Sequence, residues 1–346
     1  MNPCRLPESR VLRRRPFILA AGASLLAAAR GASAQGPATR NLMVGAGPIG
    51  GTYFPVASLI ATAISNPPGG RPCDAGGSCG VPGLIAEAIA TQGSVENIKR
   101  MAEGTLDAAL AQADIAAAAL AGDEIFAGRP VTGLRAAANL FPETVHIVAR
   151  RDRGLDSIAD LRGRTVSLGE AGSGTLPLAR ALLNAYGLGR RDIVAEYVSP
   201  QAASHKLREG TLDAFIMVAG QPAPLLVGLA RQLEIELLPV TSGVAERLRR
   251  ERPGLVTLTV PGNMYQGVEA CDSIAVGSQL IVSSSVDEDV VYGSLRALFH
   301  PSVRAKLDRG HPAAALITLE TALDGLAVPL HPGASRFYKE RGLLRD

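Results

Sequence analysis

The chain has 346 residues, enough for two domains that each bury a core. It is 47% hydrophobic and 19% charged, an ordinary balance for a soluble globular protein; only 4% of it is aromatic and it has no Trp, which argues against an aromatic-lined sugar groove. The formal charge of +3 is concentrated at the start: residues 1–34 hold six Arg and one Glu, leaving 29 basic against 31 acidic residues, a net of −2 that argues against nucleic acid or an anionic membrane as partner.

Arg13-Arg14-Arg15-Pro16-Phe17-Ile18 precedes an apolar run over 19–29, and Ala32-Ser33-Ala34 offers small residues for cleavage. This layout predicts an export signal over 1–34, twin-arginine-like in its Arg14-Arg15-x-Phe17-Ile18 order, cut near Ala34 to release a periplasmic protein. A membrane anchor is the competing reading, but the run is shorter than the ~20 residues of a spanning helix. Export decides the cysteines. Cys4 leaves with the signal, Cys73 and Cys79 are expected to form a disulfide, and Cys271 reads as a small buried hydrophobe.

Residues 41–44 read as a strand, followed by the glycine-rich turn Gly45-Ala46-Gly47-Pro48-Ile49-Gly50-Gly51-Thr52 and a helix over 56–64. Gln92-Gly93-Ser94-Val95-Glu96-Asn97 enters a helix with Ser94 as a candidate N-cap. Glu103-Gly104-Thr105-Leu106-Asp107-Ala108 closes that helix and opens a strand ending near Gln112 and Asp114. The same two units return. A strand over 165–168 leads through Gly169-Glu170-Ala171-Gly172-Ser173-Gly174-Thr175 to a helix over 176–186, and Glu209-Gly210-Thr211-Leu212-Asp213-Ala214 opens a strand ending at Gly220-Gln221-Pro222. Two similar α/β lobes with mainly parallel sheets follow. Strand-like stretches over 145–150 and 273–283 serve as crossings between them. The predicted division is 1–34 export signal, 35–145 first lobe, 146–245 second lobe and 246–346 the return to the first lobe. Arg249, Arg250 and Arg252 read as a solvated helix end.

Gly45-Ala46-Gly47-Pro48-Ile49-Gly50 matches the dinucleotide fingerprint, which makes an exported flavin- or nicotinamide-dependent oxidoreductase the alternative reading. That fingerprint needs an acid about 20 residues on. None occurs between Gly45 and Cys73. The five His are scattered without metal-ligand spacing, and no G-x-S-x-G elbow is present. No enzyme activity, metal or cofactor is expected. The better use of two glycine-rich turns, each opening a helix, is to hold a small anion on backbone N–H groups and helix dipoles, with Ser173 and Thr175 adding hydroxyls. Gln112 and Gln221 end strands, where ligands of open α/β sheets sit.

The chain resembles the TAXI family of TRAP-transporter solute-binding proteins. The residues that carry this are Gly47-Pro48-Ile49-Gly50-Gly51-Thr52-Tyr53-Phe54-Pro55, residues 93–98, Ala111-Gln112-Ala113-Asp114, Leu140-Phe141-Pro142-Glu143-Thr144-Val145-His146 and Asp160-Leu161-Arg162-Gly163. Residues 172–175, 210–214 and 220–222, Tyr265 and Pro329-Leu330-His331-Pro332-Gly333-Ala334 complete the set. The resemblance implies a two-lobed, type II periplasmic-binding-protein fold with the ligand cleft between lobes. It also implies integral-membrane TRAP subunits as partners and a small organic acid such as glutamate or 2-oxoglutarate as ligand. Carried over residue by residue, the ligand-binding set is Gly51, Thr52, Tyr53, Ser94, Asn97, Gln112, Ser173, Gly174, Thr175 and Gln221. The Tyr53-Phe54 pair and the insert between Cys73 and Cys79 depart from the family's usual pattern. Mass spectrometry of the exported protein is expected to give a chain beginning at Gln35; an intact N-terminus would contradict the cleavage reading.

Overall fold

A computed structural model describes residues 38–252 and 254–345; the predicted export signal and its cleavage site lie outside them. The chain begins with β1 (Arg40–Gly45), α1 (Tyr53–Ile64), two short strands β2 (Ser65–Asn66) and β3 (Val81–Pro82), β4 (Leu84–Ile89), α2 (Ser94–Ala102), β5 (Ala108–Gln112) and α3 (Ala113–Ala121). It continues through the long β6 (Leu134–Arg150), then β7 (Thr165–Ser167), α4 (Thr175–Ala185), β8 (Val194–Glu196), α5 (Pro200–Glu209), β9 (Ala214–Ala219), α6 (Pro224–Ala230), β10 (Ile235–Leu237) and α7 (Ser242–Glu251). β11 (Leu255–Val260) and the long β12 (Cys271–Ser283) precede α8 (Glu288–Leu298), α9 (Pro301–Gly310), α10 (Pro312–Ala315) and α11 (Pro332–Glu340).

One sheet runs in the order β4-β1-β5-β12-β6-β9-β7-β8, with β10 added to β6 and β11 to β12. Its two ends are parallel and its centre is not. β1 lies parallel to β4 and β5, and β7 parallel to β8 and β9, while β12 and β6 run antiparallel to each other and to the end groups they touch. The expected mainly parallel sheet therefore holds only where strand–helix–strand units alternate. β6 and β12 are not joined by such crossovers to the strands beside them, and they form the mixed centre.

The echoed sequence is an echo of structure. Asp107 Oδ2 accepts from Met43 N–H of β1 at 2.8 Å, and Asp213 Oδ2 accepts from Thr165 N–H of β7 at 2.9 Å. In both copies the Asp N–H returns a bond to the same strand residue's carbonyl, at 3.0 and 2.9 Å. Gly104 and Gly210 sit at φ 72° and 76°, the left-handed turn that ends a helix and that a β-carbon disfavours. The Glu-Gly-Thr-Leu-Asp-Ala motif thus stops a helix and registers the next strand with the first.

Helices cover both faces of the sheet. Val56 and Ile60 of α1 pack with Leu295 of α8 and Tyr338 of α11 on one face of the β1 end, and Ile98 and Ile115 pack on the other. At the β7 end, Leu178 and Leu182 of α4 share a core with Leu248 and Leu255, and Leu207 of α5 shares another with Phe215, Tyr265 and Cys271. The Cys73–Cys79 disulfide forms as expected, and Cys271 is free and buried, its thiol pushed up to about 11 by burial.

His146 of β6 is 1% exposed, its Nε2 lies 2.9 Å from the Tyr265 hydroxyl, and burial pushes its pKa down to about 4. The unfolded chain takes up a proton there near pH 6.5 while the folded chain stays neutral, so stability falls as pH drops from 6.5 toward 4. Denaturant melts at pH 7 and 4.5 are expected to show His146→Gln losing about 2–3 kcal/mol less across that interval than the parent.

Candidate functional site

A cavity of about 60 Å³ lies beyond the carboxyl ends of β1, β5 and β7, beneath the starts of α1, α2 and α4. Thr52, Gly93 and Gly174 occupy the N-cap positions and make no capping hydrogen bond, although at α4 the Ser173 Oγ accepts from Leu176 N–H at 3.3 Å. First-turn N–H groups have no acceptor within their own helix, so each start carries a partial positive charge. In α2 the Glu96 N–H is taken by the Gly172 carbonyl at 2.9 Å.

Of the predicted ligand residues, Gly51, Thr52, Tyr53, Ser94 and Gln112 line the cavity from one side. Ser173, Gly174 and Thr175 line it from the other. Thr52 Oγ1, Gln112 Oε1 and Ser167 Oγ are buried without a hydrogen-bond partner among the described residues. Natural proteins rarely leave such groups unpaired, and three around one cavity mark where a ligand's polar atoms belong. The hydroxyls of Ser173 and Thr175 are engaged within the protein. Ser173 Oγ donates to the Glu170 carbonyl at 2.7 Å, and Thr175 Oγ1 accepts from Val218 N–H at 3.2 Å.

Asn97 and Gln221 are not among the lining residues. Asn97 is fully buried; its Nδ2 donates to the carbonyls of Ala46 at 2.7 Å and Leu110 at 2.8 Å, and its Oδ1 accepts from Thr91 Oγ1 at 2.7 Å. It ties the ends of β1 and β5 behind the wall. Gln221, before a cis proline, donates to Thr144 Oγ1 at 2.6 Å.

The two sides meet closely. Gly172 N–H donates to Gln92 Oε1 at 2.8 Å. A β-carbon on Gly174 would lie 1.7 Å from Gln112 Oε1, so only glycine permits this approach. Arg252 departs from the expected solvated helix end. It is held against Asp114 at 3.4 Å and Glu124 at 2.5 Å, because the end of α7 comes down beside α3. Burial raises the Asp114 pKa to about 6 even with Arg252 opposing it.

Glu143 of β6 was quoted in the family motif but not selected as a site residue; it lines the cavity at 3% exposure. The Tyr53 hydroxyl donates to its Oε2 at 2.5 Å. Burial pushes Glu143 up to about 8, with the Tyr53 bond pulling the other way. Its sequence signal is that it is the one acid in β6. Among the described residues no Lys, Arg or His lines the cavity, and the other acid there, Glu170, is also raised by burial. Of the glycine fingerprint over 45–50, only Pro48 lines the cavity.

Residues 44–342 match the NMT1-like family. Among solved structures, MatC from Rhodopseudomonas palustris with bound malate is 15% identical and aligns over 88% of this chain and 97% of its own with a TM-score of 0.51; it shows the same mixed α/β, periplasmic-binding-protein-like fold. XAC2383 from Xanthomonas citri bound to ATP aligns at 12% identity over 87% and 94% of the two chains (TM-score 0.48). The alkanesulfonate-binding protein SsuA from Xanthomonas axonopodis pv. citri bound to MOPS aligns at 16% over 90% and 96% (TM-score 0.46).

Replacing Asn97 by Ala removes three buried side-chain hydrogen bonds, to the carbonyls of Ala46 and Leu110 and to the Thr91 hydroxyl. Urea melts are expected to show a loss of about 2–4 kcal/mol. A variant as stable as the parent would show that the amide is not structural.

Proposed function

Because the chain belongs to the NMT1-like family, matched over residues 44–342, we propose that it is an exported solute-binding protein, not an enzyme, that captures a small organic acid such as glutamate or 2-oxoglutarate. The observation that carries this reading is the cavity itself. Helix starts whose N-cap residues make no capping bond converge on it, and Thr52, Gln112 and Ser167 each present a polar atom unpartnered among the described residues. A carboxylate would be met by backbone N–H groups and hydroxyls in place of an Arg or Lys. MatC, of similar fold, holds malate.

The finer reading is a TAXI-type protein that delivers its acid to integral-membrane TRAP subunits. Its support is that the motifs of the resemblance, at 51–53, 112 and 173–175, border the cavity. The two lobes divide within β6 and β12 in this proposal, so that α7 and β11 go with the second lobe. The packing of Leu248 and Leu255 with α4 favours that over a division at 245 and 246.

A thermal-shift screen of organic acids on the mature chain tests the function. An acid at 100 times its Kd adds about 2.7 kcal/mol of stability, and a panel without a single shift would overturn the reading. Thr52→Val keeps the side-chain shape and removes a hydroxyl that has no protein partner. Calorimetry is expected to show affinity for the selected acid reduced about tenfold or more, with the ligand-free melt unchanged.

A further inference from the structure

We propose that Glu143 meets the captured acid as a neutral carboxyl group and donates a hydrogen bond to the ligand's carboxylate, so that wherever the free carboxyl is ionised capture takes up a proton from solvent. This rests on the organic-acid reading of the cavity and names the group that sets its pH response.

The argument is one of charge in a closed space. Tyr53 faces Glu143 from α1 and is itself held as a neutral phenol, its pKa raised well above the usual value by burial and by Glu143. Asp114 acts on it from α3, with Arg252 at 3.4 Å offsetting part of that aspartate's charge while also pairing with Glu124 at 2.5 Å. From β12 the residue opposite is Val276, with the hydroxyl of Ser278 two positions on. Across the cavity stands Glu170, with Glu96 acting on it. Among the described residues no cation lines the space. A ligand carboxylate resting on the starts of α1 and α4 would share about 60 Å³ with Glu143. Two like charges in one buried site do not both ionise. The ligand's charge is met by the helix ends, whereas the charge of Glu143 has a single Tyr53 bond, so the proton stays on Glu143. Burial already favours that form in the free protein, where the group titrates near 8. With Tyr53 donating to Oε2, the carboxyl hydrogen is carried on Oε1, and in this proposal it points at the ligand.

The experiment is calorimetric titration of the mature chain with 2-oxoglutarate, which has no amino group, and with glutamate, which has one, between pH 6.5 and 9. Affinity for whichever acid binds is expected to fall about tenfold across that range. Titrations near pH 8.5 in buffers of different ionisation enthalpy are expected to show proton uptake, a readout that needs no variant. Glu143→Ala is expected to weaken binding about tenfold or more at pH 6.5, and Glu143→Gln, a neutral donor that cannot ionise, to recover most of the loss and bind equally at both pH values. Affinity that is level or rises with pH, absence of proton uptake, or a Glu143→Gln variant that loses glutamate as Glu143→Ala does would overturn the proposal; the last outcome would make Glu143 a carboxylate paired with a ligand ammonium group. If the parent binds neither acid at pH 6.5, the organic-acid reading itself fails and this inference fails with it.

Discussion

The antiparallel pair β6–β12 is the constraint on which the rest of this structure depends. It is paired from Ser283 opposite Leu134 to Ala275 opposite Thr144, and each parallel end group hangs from one side of it. Register slips between Ser278 and Gln279 and between Leu280 and Ile281 bend the pair along its course. Pro142, which has no N–H to give, sits opposite Gly277 in this stretch, and Glu143 follows it. A local bend in a shared strand therefore brings a carboxyl group under the start of α1.

Around that bend the protein makes an unusual electrostatic choice. It gathers helix starts, hydroxyls and amides, and it leaves basic side chains out of the cavity. Arg252, the cation nearest in argument, is spent on Asp114 and Glu124 at the edge. Burial then works on the acids that remain. Glu143, Glu170 and Asp114 are all held above the usual carboxylate range, for the same reason of lost hydration.

Much of the fold was legible in the chain because it depends on local rules used twice. The Glu-Gly-Thr-Leu-Asp-Ala echo predicted two equivalent helix-to-strand turns, and Asp107 and Asp213 make the same bonds. The glycines before α1 and α4 pointed to the cavity because a helix start after a glycine turn is exposed by construction. The misjudged residues depend on partners far along the chain. Asn97 was expected among the ligand residues from its motif, but its amide is engaged by carbonyls at 46 and 110. Glu143 owes its state to burial beside Tyr53, 90 residues away, and Arg252 is held by Asp114, 138 residues away. The mixed centre of the sheet was hidden for a related reason: strand direction is decided by which strands become neighbours.

The echo between the two ends has a consequence in terms of symmetry. β1 with α1 and β7 with α4 are approximate copies, so the turns they offer to a bound molecule are close to interchangeable. A ligand resting on those turns alone would meet similar donors at either end. The copies differ at the first helical residue, Tyr53 in α1 and Thr175 in α4, and only Tyr53 reaches a carboxyl group. Thr175 turns its hydroxyl to the backbone of β9 instead. The Tyr53–Glu143 pair thus breaks that likeness, and it lets a site assembled from repeated parts distinguish head from tail.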